Sequence, residues 1–220
     1  MPDAVGIIMD GNRRWAKGKG MPSVRGHQAG YEKLKEATRW AHEAGVKELT
    51  VYAFSTENWN RSQEEVGYLM ELLEHALTRG LEDLEKEGVR MRFIGERARF
   101  SSAFKEKMDA VEARTSVNAG ITLVIALSYG GRSEILSAVQ KLEGKEVTEE
   151  ALRNAMWSAG LLDPDLIIRT GGEMRLSNFL TWQSAYSELM FTDTLWPDFS
   201  KEEFLGMLEA FGMRERRMGK

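Results

Sequence analysis

A chain of 220 residues, 42% hydrophobic and 29% charged, can bury one full core, and it has no long Ser/Gly/Pro or single-charge tract, which excludes a disordered protein. Its net charge of -4 argues against a general nucleic-acid binder, although arginines cluster at 13–14, 90–99, 169–175 and 214–217. With no cysteine it has neither a disulfide framework nor a thiolate zinc site, and no apolar run resembles a signal peptide or nears the ~20 residues of a membrane span, so a cytoplasmic protein, at most peripheral at a membrane, is expected.

The first apolar run, Val5 to Met9, reads as a buried strand that stops at Asp10-Gly11-Asn12-Arg13-Arg14-Trp15. Lys17 to Gly20 reads as a mobile loop, and Leu34, Ala37, Trp40 and Ala41 mark a helix from Ala29 to Ala44, stopped by Gly45. Leu49 to Phe54 is rich in β-formers and ends in Ser55-Thr56-Glu57-Asn58-Trp59-Asn60-Arg61. Ser62-x-x-Glu65 is a capping box for a long helix with Val66, Leu69, Met70, Leu73, Leu77 and Leu84 along one stripe.

Val89 to Ile94 alternates, as a strand with one wetter face does, and a charged helix runs from about Ser101 to Thr115. Ile121 to Leu127 is a continuous apolar strand ending in Ser128-Tyr129-Gly130-Gly131-Arg132, with a helix from about Ser133 to Leu142. Thr148 caps a helix to about Ala159, Leu166 to Ile168 is another buried strand, and Glu188 to Phe191 a last one. Ser200-x-x-Glu203 opens the final helix before a basic tail from Arg214. The alternation predicts a single α/β domain over 1–220 with a mostly parallel sheet of about six strands flanked by helices.

In such sheets ligands bind outside the carboxyl ends of the strands, and Asp10, Ser55–Arg61, Tyr129–Arg132 and Arg169–Ser177 each follow a strand directly. Aspartate can hold a hard cation, a Gly-Asn backbone can point N–H groups inward, and arginine clamps phosphate in a fork, so the rim reads as a metal-diphosphate cradle. Taken singly, Arg13 or Arg14 is a surface charge, Gly171-Gly172 a turn, His27 a helix-start residue, Phe54 and Trp59 packing, and Glu188 an arginine partner; together these readings lose force. There is no P-loop, no Gly-x-Gly-x-x-Gly after the first strand and no Gly-x-Ser-x-Gly elbow. A Mg2+-dependent phosphohydrolase using the strand-end aspartate is the alternative, weakened because Asn12 stands where such enzymes carry a second Asp.

Five motifs in order resemble the cis-prenyltransferase family of undecaprenyl diphosphate synthase type: Met9-Asp10-Gly11-Asn12-Arg13-Arg14-Trp15-Ala16; Gly26-His27; Tyr52-Ala53-Phe54-Ser55-Thr56-Glu57-Asn58-Trp59-x-Arg61; Tyr129-Gly130-Gly131-Arg132; and Arg169-Thr170-Gly171-Gly172-Glu173-x-Arg175-Leu176-Ser177-Asn178. Ala185-Tyr186-x-Glu188-Leu189 and Arg217-x-Gly219 are also similar to the family's. The resemblance implies a homodimer that uses Mg2+ to condense isopentenyl diphosphate with an allylic diphosphate, farnesyl or geranylgeranyl diphosphate, into a cis-polyprenyl diphosphate such as undecaprenyl diphosphate. A non-catalytic partner subunit of the same fold is the other reading within the family.

By resemblance, Asp10 holds Mg2+, and Gly11, Asn12, Arg13, Arg14 and Trp15 surround the allylic diphosphate. Arg169, Arg175 and Ser177 clamp isopentenyl diphosphate, Arg217 and Gly219 on a 212–220 arm complete the partner subunit's clamp, and Glu188 supports the metal from the partner chain. Ser55, Asn58, Arg61 and His27 assist orientation and proton loss, with Phe54 and Trp59 beside the substrate. The family usually places an Arg four residues before the Gly-His histidine; Ser23 stands there, so either Arg25 compensates or the allylic site is altered. An apolar tunnel for the growing chain is expected among Ala53, Phe54, Leu73, Leu77, Ile94 and Ile121, with peripheral membrane contact for product release.

Overall fold

The computed structural model describes residues 1–214. Among them six strands form one sheet: β1 (Ala4–Ile8), β2 (Glu48–Ser55), β3 (Arg90–Ile94), β4 (Thr122–Tyr129), β5 (Leu166–Arg169) and β6 (Glu188–Phe191), in the order β3-β4-β2-β1-β5-β6. Every neighbouring pair is parallel, so all carboxyl ends share one rim. From central β1 the chain goes to β2 on one side and returns as β5 on the other, which puts the switch in strand order, and with it the crevice, between β1 and β5.

The helices are α1 (Asn12–Gly18), α2 (Ser23–Glu43), α3 (Gln63–His75), α4 (Glu82–Lys86), α5 (Ser102–Thr115), α6 (Gly131–Lys141), α7 (Glu149–Ala155) and α8 (Lys201–Gly212). Strand side chains alternate between faces. Val5, Ile7, Leu49 and Val51 join Leu34, Leu69, Met108 and Phe204 in the larger core, beneath α2, α3, α5 and α8. Ile8, Val124, Ala126 and Ile167 point the other way, where Phe179 and Leu180 of the β5–β6 connection cover them, with Trp157 and Leu161 alongside.

Four boundaries differ from expectation. Lys17 and Gly18 end helix α1, and α2 begins at Ser23 rather than Ala29. Gly26 and Gly30, weak helix formers in isolation, are the condition for this pair: a Cβ on Gly26 would overlap the Asn12 carbonyl oxygen, and one on Gly30 the Asn12 side chain. The long helix from Ser62 is interrupted by a π turn, Ala76–Gly80, where the Tyr31 hydroxyl occupies the space a side chain on residue 80 would need. The helix after Thr148 stops at Ala155 because Met156 turns extended and buries itself against Ala138, Leu142 and Leu152.

Candidate active site

Asp10 stands two residues beyond β1, beside the end of β5, since Ile8 is in register with Arg169. Its carbonyl oxygen accepts from Thr170 Oγ1 at 2.8 Å and from the Trp196 N–H at 3.0 Å, which fixes the backbone and leaves the carboxylate facing the crevice. One carboxylate oxygen lies 2.9 Å from Arg169 Nη2, the other 3.2 Å from Arg14 Nη2. Arg169 is itself buried, and its Nη1 donates to Ser177 Oγ at 2.7 Å and to the Arg175 carbonyl at 2.6 Å. Gly171, at φ 86°, passes so close that a Cβ would stand 2.5 Å from Arg14 Nη2, so glycine is needed for conformation and for room.

The segment after β2 is a 3-10 turn, Thr56–Asn60, closed by a reciprocal cap: Ser55 N–H donates to Asn58 Oδ1 at 3.0 Å, and the Ser55 side chain accepts from the Asn58 backbone. Beyond it Ser62 caps α3, but the Glu65 carboxylate, assigned to a capping box by sequence, serves the site instead. It lies 2.8 Å from Arg61 Nη1, 3.6 Å from His27 Nε2 and 3.7 Å from Arg13 Nε. His27 Nε2 is buried without a hydrogen-bond partner. Burial and then the Arg61 charge hold this imidazole below its ordinary pKa of 6.5, against the opposite pull of Glu65, so it is neutral at neutral pH.

Two adjoining cavities open on this rim. One, about 760 Å³, is lined by Asp10 to Arg14, Lys17, the Gly20–Ser23 segment, His27 and Arg61. The second, about 560 Å³, is lined by Tyr52, Ala53, Ser55, Glu57, Asn58, Arg169, Ser177 and Asn178, and shares Met9, Asp10, Asn12, His27 and Arg61 with the first. Below the shared residues an apolar cavity of about 70 Å³ continues between α2, α3 and β2, past Ala53, Phe54, Leu69 and Leu73 to Tyr31 and Leu34. A cationic double chamber with an apolar floor can hold two anions and a hydrocarbon tail. One carboxylate at the junction, with diphosphate oxygens and water completing the shell, is a donor set that suits Mg2+.

The structure brings together Asp10, Gly11, Asn12, Arg13, Arg14, His27, Ser55, Asn58, Arg61, Arg169 and Ser177. Others stand apart. Trp15 Nε1 donates to Asp198 at 2.7 Å, under the Lys19 ammonium, away from both cavities. Arg25 is exposed and donates to Gln28, so it does not take the place left by Ser23, which itself lines the first cavity. Trp59 donates to Ser128 Oγ at 2.9 Å and packs edge-on against Phe54, a supporting position. The Arg175 side chain is exposed and paired with Glu173; only its carbonyl reaches Arg169.

Leu73 borders the apolar cavity, whereas Leu77 and Ile121 are buried elsewhere in the same core, and Ile94 packs on the opposite face of the sheet with Val124 and Ala126. Ile94 shares its face with Arg90 and Arg92 of β3, the wetter side, and so cannot join Ala53. Glu188 starts β6, opposite the start of β5, which puts it at the far end of the sheet from Asp10 of the same chain, paired with Arg214. Arg217 and Gly219 lie outside the described residues. Glu65, Glu57 and Asn178 are rim residues that the sequence reading did not assign to the site.

The family model of undecaprenyl diphosphate synthase matches residues 8–219. The isoprenyl transferase of Thermotoga maritima is 49% identical over 226 residues, covering 100% of this chain and 97% of its own length. The ditrans,polycis-undecaprenyl-diphosphate synthase ((2E,6E)-farnesyl-diphosphate specific) of Escherichia coli K12 is 47% identical, covering 98% of this chain and 88% of its own. Lavandulyl diphosphate synthase from Lavandula x intermedia, solved with dimethylallyl diphosphate, superposes with a TM-score of 0.95 at 33% identity, covering 100% of this chain and 98% of that one. With these matches over nearly its whole length, the chain belongs to the undecaprenyl diphosphate synthase family of prenyltransferases.

Proposed function

We propose that this protein condenses isopentenyl diphosphate with an allylic diphosphate, building a cis-polyprenyl diphosphate and releasing diphosphate. The observation that carries this reading is the pair of adjoining cationic cavities that share Asp10 and His27 above an apolar floor. The C1–O bond of the allylic substrate breaks, C4 of isopentenyl diphosphate forms the new bond to that C1, and C2 of isopentenyl diphosphate loses a proton. Negative charge grows on the departing diphosphate, so fixed positive groups around it lower the barrier.

In the first cavity Arg13 and Arg14, with the Gly11–Asn12 backbone, hold the allylic diphosphate. In the second, Arg169 and Ser177 hold isopentenyl diphosphate, with Arg175 able to swing from its exposed pairing onto the same anion. Asp10 would hold Mg2+ at the junction, where the ion supplies charge neutralisation to the leaving group when bound. With Mg2+ held there, the Arg14 guanidinium, now 3.2 Å from the Asp10 carboxylate, would be free to turn to the allylic diphosphate, while Arg169 stays between Asp10 and Ser177. Neutral His27, with Ser55, Asn58 and Arg61, orients the substrates between the cavities.

The tail grows into the space bounded by Ala53, Leu69 and Leu73, which must widen between α2 and α3 to take a long product. A homodimer is part of this reading, with Glu188, Arg217 and Gly219 acting on the partner subunit's site; exposed Tyr186 and Leu189 on the β6 edge of the sheet support such a contact. No helix among the described residues is long and apolar enough to cross a membrane, and release of the product is assigned to peripheral contact with one. Incubation with radiolabelled isopentenyl diphosphate, Mg2+ and farnesyl or geranylgeranyl diphosphate tests the proposal: a chain-extended lipid is expected. Phosphate release from a diphosphate lipid without isopentenyl diphosphate would favour the phosphohydrolase instead.

A further inference from the structure

Asn178 follows Ser177 in the β5–β6 connection, and both are held at left-handed φ, 67° and 49°. Asparagine tolerates that region better than most residues, and here its polar groups reach segments that follow two other strands. Its carbonyl accepts from the Gly131 N–H at 2.7 Å and its Oδ1 from the Arg132 N–H at 2.9 Å, both at the start of α6 after β4. Its Nδ2 donates to Glu57 Oε1 at 3.1 Å, on the 3-10 turn after β2. The amide orientation follows from its neighbours, since a backbone N–H only donates and a carboxylate only accepts.

Glu57 is positioned in turn. Thr56 Oγ1 donates to its other oxygen at 3.0 Å. Burial raises the Glu57 carboxyl, and hydrogen bonds from its own backbone, Asn178, Ser55 and Thr56 more than offset this, leaving it below its ordinary range and ionised. Gly130 makes room for the bridge: a Cβ there would lie 2.6 Å from Asn178 Nδ2 and 2.7 Å from Thr56 Oγ1. The segments after β2, β4 and β5 therefore meet at the Asn178 side chain, which stands next to the serine that orders Arg169 and holds Glu57 of the turn that carries Asn58 and ends in Arg61.

We propose that the Asn178–Glu57 hydrogen bond couples the two substrate sites, so that a diphosphate seated on Arg169 and Ser177 also sets the turn that ends in Arg61, the guanidinium both cavities share. The inference rests on the two-diphosphate reading given above. Both residues act as positioning residues, through Ser177 on one side and Asn58 and Arg61 on the other.

The test is an exchange of donor and acceptor. Asn178→Asp keeps the acceptor for Arg132 and the tolerance of left-handed φ but sets a carboxylate against Glu57; Glu57→Gln in that background restores a donor across the same gap. KM is measured for each diphosphate with the unfolding midpoint alongside. Asn178→Asp is expected to raise both KM values about tenfold, the scale of losing a hydrogen bond to a charged group, and the double variant to return both to within about threefold of the parent. Glu57→Ala, at a partly exposed position, is the second variant should Asn178→Asp fail to fold, and is expected to raise both KM values alike. A rise confined to isopentenyl diphosphate, or recovery of the unfolding midpoint without recovery of KM, overturns the coupling while leaving prenyl transfer standing. A parent enzyme that extends no allylic primer overturns the functional reading and the coupling with it.

Discussion

Arg169 joins Asp10 to Ser177: Nη2 is 2.9 Å from the Asp10 carboxylate and Nη1 is 2.7 Å from Ser177 Oγ, so one buried guanidinium orders groups assigned to the metal and to isopentenyl diphosphate. A lysine ammonium carries the charge but cannot span both partners with fixed geometry. Arg169→Lys is therefore expected to lower kcat/KM about a hundredfold, the scale of losing two charge-assisted hydrogen bonds. The KM for isopentenyl diphosphate is expected to rise more than that for the allylic substrate, which steady-state kinetics with each substrate varied in turn will read.

His27 makes stability depend on pH with a definite sign. Its folded pKa is depressed below 6.5 by burial and then by Arg61, so the unfolded chain binds the proton more readily. Stability is full above pH 6.5 and declines as pH falls from there toward the lower folded value. His27→Gln is expected to remove that part of the slope in unfolding curves collected across this range. Glu65→Gln, which deletes the group that raises the imidazole, is expected to shift its titration further down, as read by NMR.

Glu48 gives the opposite sign at the amino end of β2. Burial, partly offset by the Leu162 N–H at 3.2 Å, raises its carboxyl to about 7. Stability from its neutral form is fully present below about 4.5 and is lost as pH rises through 7. Glu48→Gln keeps the acceptor without the charge, so it is expected to stabilise the protein by about 1–3 kcal/mol at about pH 8 and by little at about pH 5. An unfolding midpoint higher by a few degrees at the alkaline pH alone is the check.

Ala53 borders the apolar cavity beside Leu69 and Leu73. Ala53→Leu fills space that a lengthening tail needs and removes none of the charged or polar groups assigned to the diphosphates. A shorter product at sustained turnover is expected on thin-layer chromatography; an unchanged distribution removes Ala53 from the channel.

The strand ends were legible because a parallel sheet collects them on one rim whatever their order, so Asp10, Ser55 and Arg169 could be grouped before any contact was known. The direction of a side chain on a helix or turn was not: Trp15 and Arg25 sit within the right segments yet turn to Asp198 and Gln28. Glu65 was hidden by a local reading, since a Glu three residues after a serine cap looks fully employed. The placement of Ile94 was within reach, because alternation along β3 already sets it with Arg90 and Arg92 and apart from Phe93. Gly26 hid the first turns of α2, so that the helix is expected only from Ala29; its purpose, like that of Gly30, is close approach by Asn12.

The most direct measurement is transfer of label from isopentenyl diphosphate into a lipid-extractable product with farnesyl diphosphate and Mg2+, for the parent chain and for Asp10→Ala. A chain-extended product from the parent and a loss of at least about a hundredfold in the variant are expected if Asp10 holds the cation where leaving-group charge develops. Full activity in Asp10→Ala, or no extended product from the parent with any allylic primer, would contradict the account.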